Sequence, residues 1–169
     1  NTPMNFSRRS AQLLHEDHDA TLALLKRLED LIARSGRVQP DTSDSDVRTL
    51  LENTATAIDG EVHDHFAFEE DDIFPKLIED GETEICEHLR QDHLVILPIA
   101  ERVSALAKRA TETGFTEQTW PQFRTDAGDL IERLLAHVEK EEMALLPVMD
   151  ELIDPEADFE ISAKYSGGE

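Results

Sequence analysis

A chain of 169 residues is long enough for one domain with a substantial core, and nothing in it calls for a second. Its 16 basic residues against 38 acidic ones leave a formal net charge of -22, a field that repels phosphate backbones and anionic lipid heads and so argues against nucleic acid and membrane partners. No apolar run reaches the roughly eighteen residues a bilayer span requires, the first twenty residues lack the apolar middle of a signal peptide, and the single Cys86 makes no disulfide within the chain, so a reducing cytoplasm is the expected setting.

Residues 1–6 read as a short loose arm, and Ser7 is placed to cap a helix that runs to Ser35, where Gly36 stops it. Its inward stripe, Ala11, Leu14, His18, Thr21, Leu25, Leu28 and Ile32, steps by three and four, with a histidine in a core slot. Pro40, Asp41, Ser43, Asp44 and Ser45 give a loop and a second start signal. The next stripe is Val47, Leu51, Thr54, Ile58, Val62, His65 and Glu69, so a His and a Glu occupy core positions here too. Pro75 is expected to kink the last turns, because proline removes a backbone donor and crowds the preceding turn, and Asp80-Gly81 ends the element. The third helix starts near Glu82 or Thr83 on the stripe Cys86, Leu89, His93, Ile96, Ala100, Val103, Ala107 and Ala110, with Pro98 off the stripe and expected to bend the helix without ending it. Thr119 and Pro121 open a fourth helix that carries Phe123, Ala127, Leu130, Leu134, His137, Glu141 and Leu145 inward, and Pro155 stops it. The expected architecture is all-α, an up-down-up-down four-helix bundle over residues 7–153, followed by a loosely packed C-terminal tail over 154–169.

The chain repeats itself. His65 through Pro75 and His137 through Pro147 both read His-x-x-x-Glu-Glu, four residues, then Pro, and Leu14 through His18 aligns with Leu89 through His93. The bundle is therefore two duplicated helical hairpins. On a helix, residues i and i+4 lie about 40° apart around the axis and about 6 Å along it, so each His projects from the same face as its first Glu. Counting at about 1.5 Å per residue from the loops between antiparallel neighbours puts His18, His65, His93 and His137 at one depth, within about a turn. Buried carboxylates are costly to keep ionised without a cation. Four His and two Glu on core stripes thus point to a metal site, with iron, manganese and zinc all open by donor type.

Other motifs are weaker. The His-x-x-x-Glu order is not the Glu-x-x-His of ferritin-type sites, and His15 to His18 lacks the spacing of zinc proteases. Cys86 on a core stripe reads as a small apolar residue. The acidic runs Glu69–Asp72 and Glu139–Glu142 read as solvated face with one Glu each turned inward.

The set His18, His65-Phe66 to Glu69-Glu70, Asp92-His93 and His137 to Glu141-Glu142 resembles the hemerythrin-like, cation-binding His-His-Glu family over about residues 10–153. The resemblance implies a non-haem di-iron site with an oxo or hydroxo bridge, Glu69 and Glu141 as bridging carboxylates, and His18, His65, His93 and His137 as terminal ligands. Oxygen-carrying hemerythrins have a fifth histidine on the third helix; Leu89 and Leu97 stand at those positions here. His15, one turn before His18, is the candidate replacement, against the reading of an exposed helix-edge histidine. The carriers also have an Asp where Glu142 falls, but Glu141 repeats Glu69 and is preferred. A site short of one imidazole favours sensing, redox cycling or iron handling over reversible oxygen storage. The expected protein binds or senses oxygen, nitric oxide or peroxide, or buffers iron under stress. A peroxidase-like or catalase-like di-iron or di-manganese enzyme and a metal-free helical interaction module are the competing classes.

Overall fold

In a computed structural model, which describes residues 5–167, the chain is all-helical as expected, with one helix more than the four expected. Residues 1–4 of the expected arm lie outside the described residues. Helix α1 is Arg9–Ser35. The second helical run comprises α2 (Ser45–Thr56), α3 (His63–Phe68) and α4 (Phe74–Glu79), joined by wider π-turns at Ala57–Val62 and Glu69–Ile73. Helix α5, Thr83–Thr113, continues through Pro98. The fourth run is α6 (Thr119–Lys140), a π-turn at Glu141–Leu145, and α7 (Leu146–Leu152). None of the described helices is long and apolar enough to cross a membrane.

The stop signals act as their chemistry dictates. Gly36 and Gly81 follow the ends of α1 and α4 with φ of 59° and 92°, the left-handed region that only glycine enters without a Cβ penalty. At the start of α2, the Asp44 carboxylate accepts from the backbone N–H of Asp46 and Val47, a side-chain cap worth about 1 kcal/mol.

The α-helical pattern is interrupted just ahead of two of the prolines. Each of Pro75 and Pro147 sits just inside a fresh α segment, after a π-turn that begins at Glu69 or Glu141. The N–H of Phe74 reaches back five residues to the Glu69 carbonyl, and that of Leu146 to the Glu141 carbonyl. The wider turn relieves the crowding ahead of the pyrrolidine ring, and the proline then takes the first-turn place where its missing N–H costs nothing.

The expected loose tail is also corrected. Residues Pro155–Gly167 form helix α8, with Asp158, Ile161 and Ser162 buried. The start of α1 is capped from there, not from Ser7: the Asp158 carboxylate accepts from the N–H of Arg9 at 2.8 Å and of Ser10 at 2.9 Å, while Asp150 accepts from the N–H of Arg8 at 2.7 Å. Phe6, assigned to the arm, is half-buried against the same core and lies edge-on to His15 at 5.9 Å.

The chain divides into two compact units, and each long helical run contributes to both. One takes the chain up to Asp19, Asp64–His93 and Ala136 onward; Leu14, Phe74, Leu77, Leu89, Leu146 and Met149 fill its core. Each such side chain contributes about 1.5–3 kcal/mol by leaving water. Cys86 lies in this core, where burial pushes its thiol up to about 11, as expected of a small apolar residue. The other unit takes Ala20–His63 and Leu94–Leu135; Leu28, Leu51, Val103, Phe123 and Leu130 are buried in it, and Trp120 donates through Nε1 to the Gly36 carbonyl at 3.0 Å.

Candidate metal centre

The first unit carries all six inward His and Glu residues. His18 comes from α1, His65 from α3, Glu69 and Glu141 from the first positions of two π-turns, His93 from α5 and His137 from the end of α6. All six are buried, Glu69 and Glu141 completely. Their donor atoms converge in two groups, Glu69, His93, His137 and Glu141 in one and His18, His65 and Glu141 in the other, each with all its atoms within 4.8 Å of one another.

The Nε2 atoms face inward. His18 Nε2 lies 2.9 Å from Glu141 Oε1, and His65 Nε2 lies 3.1 Å from Glu69 Oε2 and 3.3 Å from Glu141 Oε1. His93 Nε2 lies 3.0 Å from Glu69 Oε1, and His137 Nε2 lies 3.4 Å from Glu141 Oε1. The last two contacts are near enough for charge attraction but misdirected for hydrogen bonds: Glu69 Oε1, His93 Nε2, His137 Nε2 and Glu141 Oε2 are buried polar atoms with no hydrogen-bond partner. Unsatisfied buried polar atoms cost about 1–3 kcal/mol each. Four of them aimed at one place fit a cation, which would satisfy imidazole lone pairs and carboxylate oxygens together.

Each imidazole is held from behind by a carboxylate on Nδ1. Glu142 Oε2 stands 2.6 Å from His18 Nδ1, Asp17 Oδ2 3.1 Å from His65, Glu70 Oε2 2.6 Å from His93, and Asp92 Oδ2 2.9 Å from His137. A carboxylate can only accept, so Nδ1–H donates and the Nε2 lone pair is directed inward when the ring is neutral. That arrangement fixes ring orientation and raises ligand basicity in metal-bound histidines. Phe66 packs flat on His93, with ring centroids 3.8 Å apart and planes 11° from parallel.

These carboxylates correct the reading of the acidic runs as solvated face with one inward Glu each. A second member of each run, Glu70 and Glu142, serves an imidazole. The signal was in the duplication: Asp17-His18 recurs as Asp92-His93, and Glu69-Glu70 as Glu141-Glu142. His15 is not among the converging atoms; its Nδ1 lies 2.5 Å from Glu142 Oε1, behind His18. His63 and His88 also lie outside both groups.

Charge in the cluster is strongly coupled. Burial alone would lower the His18 pKa, but hydrogen bonds with Glu141 and Glu142 push it up to about 9. Burial likewise opposes, and the facing carboxylates overcome, the rises at His65 and His93. Burial would raise the Glu141 pKa, yet its hydrogen bond with Glu69 and the surrounding imidazoles hold it well below the usual range. The metal-free cluster thus pairs imidazolium with carboxylate, and a cation entering it displaces protons.

An all-helical chain with a buried His/Glu cluster of this kind defines a cation-binding helical protein. A family model of the hemerythrin HHE cation-binding domain matches residues 9–149, and the chain belongs to that family. A search of curated proteins gave no match.

Proposed function

We propose that this is a di-iron protein that binds or senses a small oxidant or diatomic ligand (oxygen, nitric oxide or peroxide) or buffers iron under stress, and that it works in the cytoplasm. The observation supporting it is the convergence of four buried imidazole Nε2 atoms and two fully buried carboxylates, four of these atoms being without hydrogen-bond partners. His18, His65, His93 and His137 would hold the ions terminally, with Glu69 and Glu141 shared between them. When bound, iron in such a nitrogen and oxygen set supplies one-electron redox chemistry and an affinity for small ligands. The chain's own part is to fix the rings through Asp17, Glu70, Asp92 and Glu142, to keep the shared Glu141 carboxylate ionised, and to shield the site with Phe66, Phe74 and the imidazoles themselves. Manganese and zinc are the alternatives that this donor set also accepts.

Metal content and absorption of protein made in iron-supplemented cells test the reading. Close to two irons per chain, with near-ultraviolet charge-transfer bands that bleach on anaerobic reduction and return in air, is the expected result. Zinc alone, or no stoichiometric metal, would overturn it. His65→Leu with His137→Leu should abolish uptake while the chain stays folded; undiminished uptake would place the metal elsewhere. Peroxide consumption by the loaded protein, compared with free iron, separates a binding protein from an enzyme.

A further inference from the structure

We propose that the two metal positions are chemically unequal, because the layer of side chains behind the imidazole-holding carboxylates has diverged between the two halves of the duplication; this rests on the metal-binding reading above. The inner donors are of the same kinds, although Glu69 joins the tightest grouping only around His93 and His137. His18 with His65, and His93 with His137, each have both Glu69 and Glu141 within reach. The carboxylates on Nδ1 are alike as well, one Asp and one Glu for each pair.

The next layer is not. The alignment of Leu14 to His18 with Leu89 to His93 sets His15 opposite Arg90. His15 meets Glu142 at 2.5 Å, whereas the Arg90 guanidinium stands 4.0 Å from Glu70. The alignment of the two His-x-x-x-Glu-Glu segments sets Phe68 opposite Lys140. Lys140 Nζ donates to Asp92 Oδ2 at 3.1 Å. Phe68 has no donor for Asp17, and α8 supplies one: Tyr165 stacks on Phe68 with ring centroids 4.2 Å apart, and its hydroxyl donates to Asp17 Oδ2 at 2.5 Å. Burial, and then Asp17 itself, push the Tyr165 pKa up, so the phenol stays neutral.

The His93–His137 position is therefore backed by two permanent cations, and the His18–His65 position by an imidazole and a phenol. Positive charge behind Glu70 and Asp92 opposes an incoming divalent ion and draws electron density away from His93 and His137, making them weaker donors. The first ion goes to His18 and His65, the second and weaker to His93 and His137.

Anaerobic titration of the metal-free full chain with cobalt(II), followed by calorimetry and by ligand-field absorption, tests this. Two resolved steps are expected. The R90Q/K140Q variant, which keeps amide donors and removes both charges, should tighten the second step about tenfold and leave the first unchanged; K140R, which keeps the charge, should match the wild type. Two indistinguishable steps in the wild type, or an R90Q/K140Q titration that matches it, would overturn the inequality while leaving the metal-binding reading intact. A wild type that takes up no cobalt, or takes up as much after His65→Leu and His137→Leu, would remove both.

Discussion

Asp17 and Asp92 stand immediately before His18 and His93 in the chain, yet each serves a different imidazole, His65 and His137. Asp17→Asn or Asp92→Asn keeps the shape and removes the charge that makes the ring a strong donor, so metal affinity should fall about 10–100-fold in competition with a chelator, with little change in fold. The pH dependence of the metal-free protein follows from His18, whose folded pKa is about 9 against an ordinary 6.5. A raised folded pKa gives stability that is complete below pH 6.5 and is lost as pH rises through about 9, and His65 and His93 shift in the same direction. Glu141, held low, gives stability that is lost in acid. The Tm of metal-free protein should therefore fall between pH 6.5 and about 9, while metal-loaded protein, whose imidazoles have already given up their protons, should hold steady. Scanning calorimetry of both forms decides it; a flat metal-free curve would contradict the imidazolium–carboxylate pairing. All six inward residues can be found from helical spacing, because each occupies a slot where the stripe wants an apolar side chain. Their Nδ1 partners could not be found that way: a carboxylate one residue, or about 100°, off the stripe has the spacing of a solvated one, and only the paired recurrence of Asp-His and Glu-Glu marked it.

The helical runs themselves could be read from steps of three and four, but two features could not. A π-turn leaves the His-to-Glu spacing ahead of it unchanged, so His65 to Glu69 and His137 to Glu141 look the same whether an α or a π turn follows. The C-terminal helix α8 has only a short apolar stripe, Ala157, Ile161 and Tyr165, beside an exposed Phe159, and much of its anchoring is polar, through Asp158, Lys164 and the Tyr165 hydroxyl. It closes the exposed backbone donors at the start of α1, which would otherwise be left unpaired. Asp158→Ala removes acceptors for two backbone N–H groups and for the Ser10 hydroxyl, and should cost about 1–2 kcal/mol, measured as a lower urea midpoint with an unchanged slope. No loss would mean that α8 contributes nothing to the start of α1.

For the whole molecule, 38 acidic against 16 basic residues make self-repulsion the dominant long-range term. Raising salt from about 10 mM to about 1 M shortens the screening length from about 30 Å to about 3 Å, so Tm should rise by a few degrees even though exposed pairs such as Lys26–Asp30 weaken. A falling Tm would mean that local pairs outweigh the repulsion. The common depth of the four histidines follows from counting turns, whereas the fifth helix and the split of outer charge between the two halves depend on side chains that meet across long sequence separations. The reciprocal wiring of the cluster also bears on how such a chain could have arisen. His18 is held by Glu142 of the second hairpin and His93 by Glu70 of the first, while His65 and His137 are held from within their own hairpins. A single hairpin could orient only one of its two imidazoles unaided, and two identical copies could complete each other by exchanging that one glutamate. Fusing the copies into one gene turns the exchange into an intramolecular one, and from then on Arg90 and His15, or Lys140 and Phe68, are free to diverge.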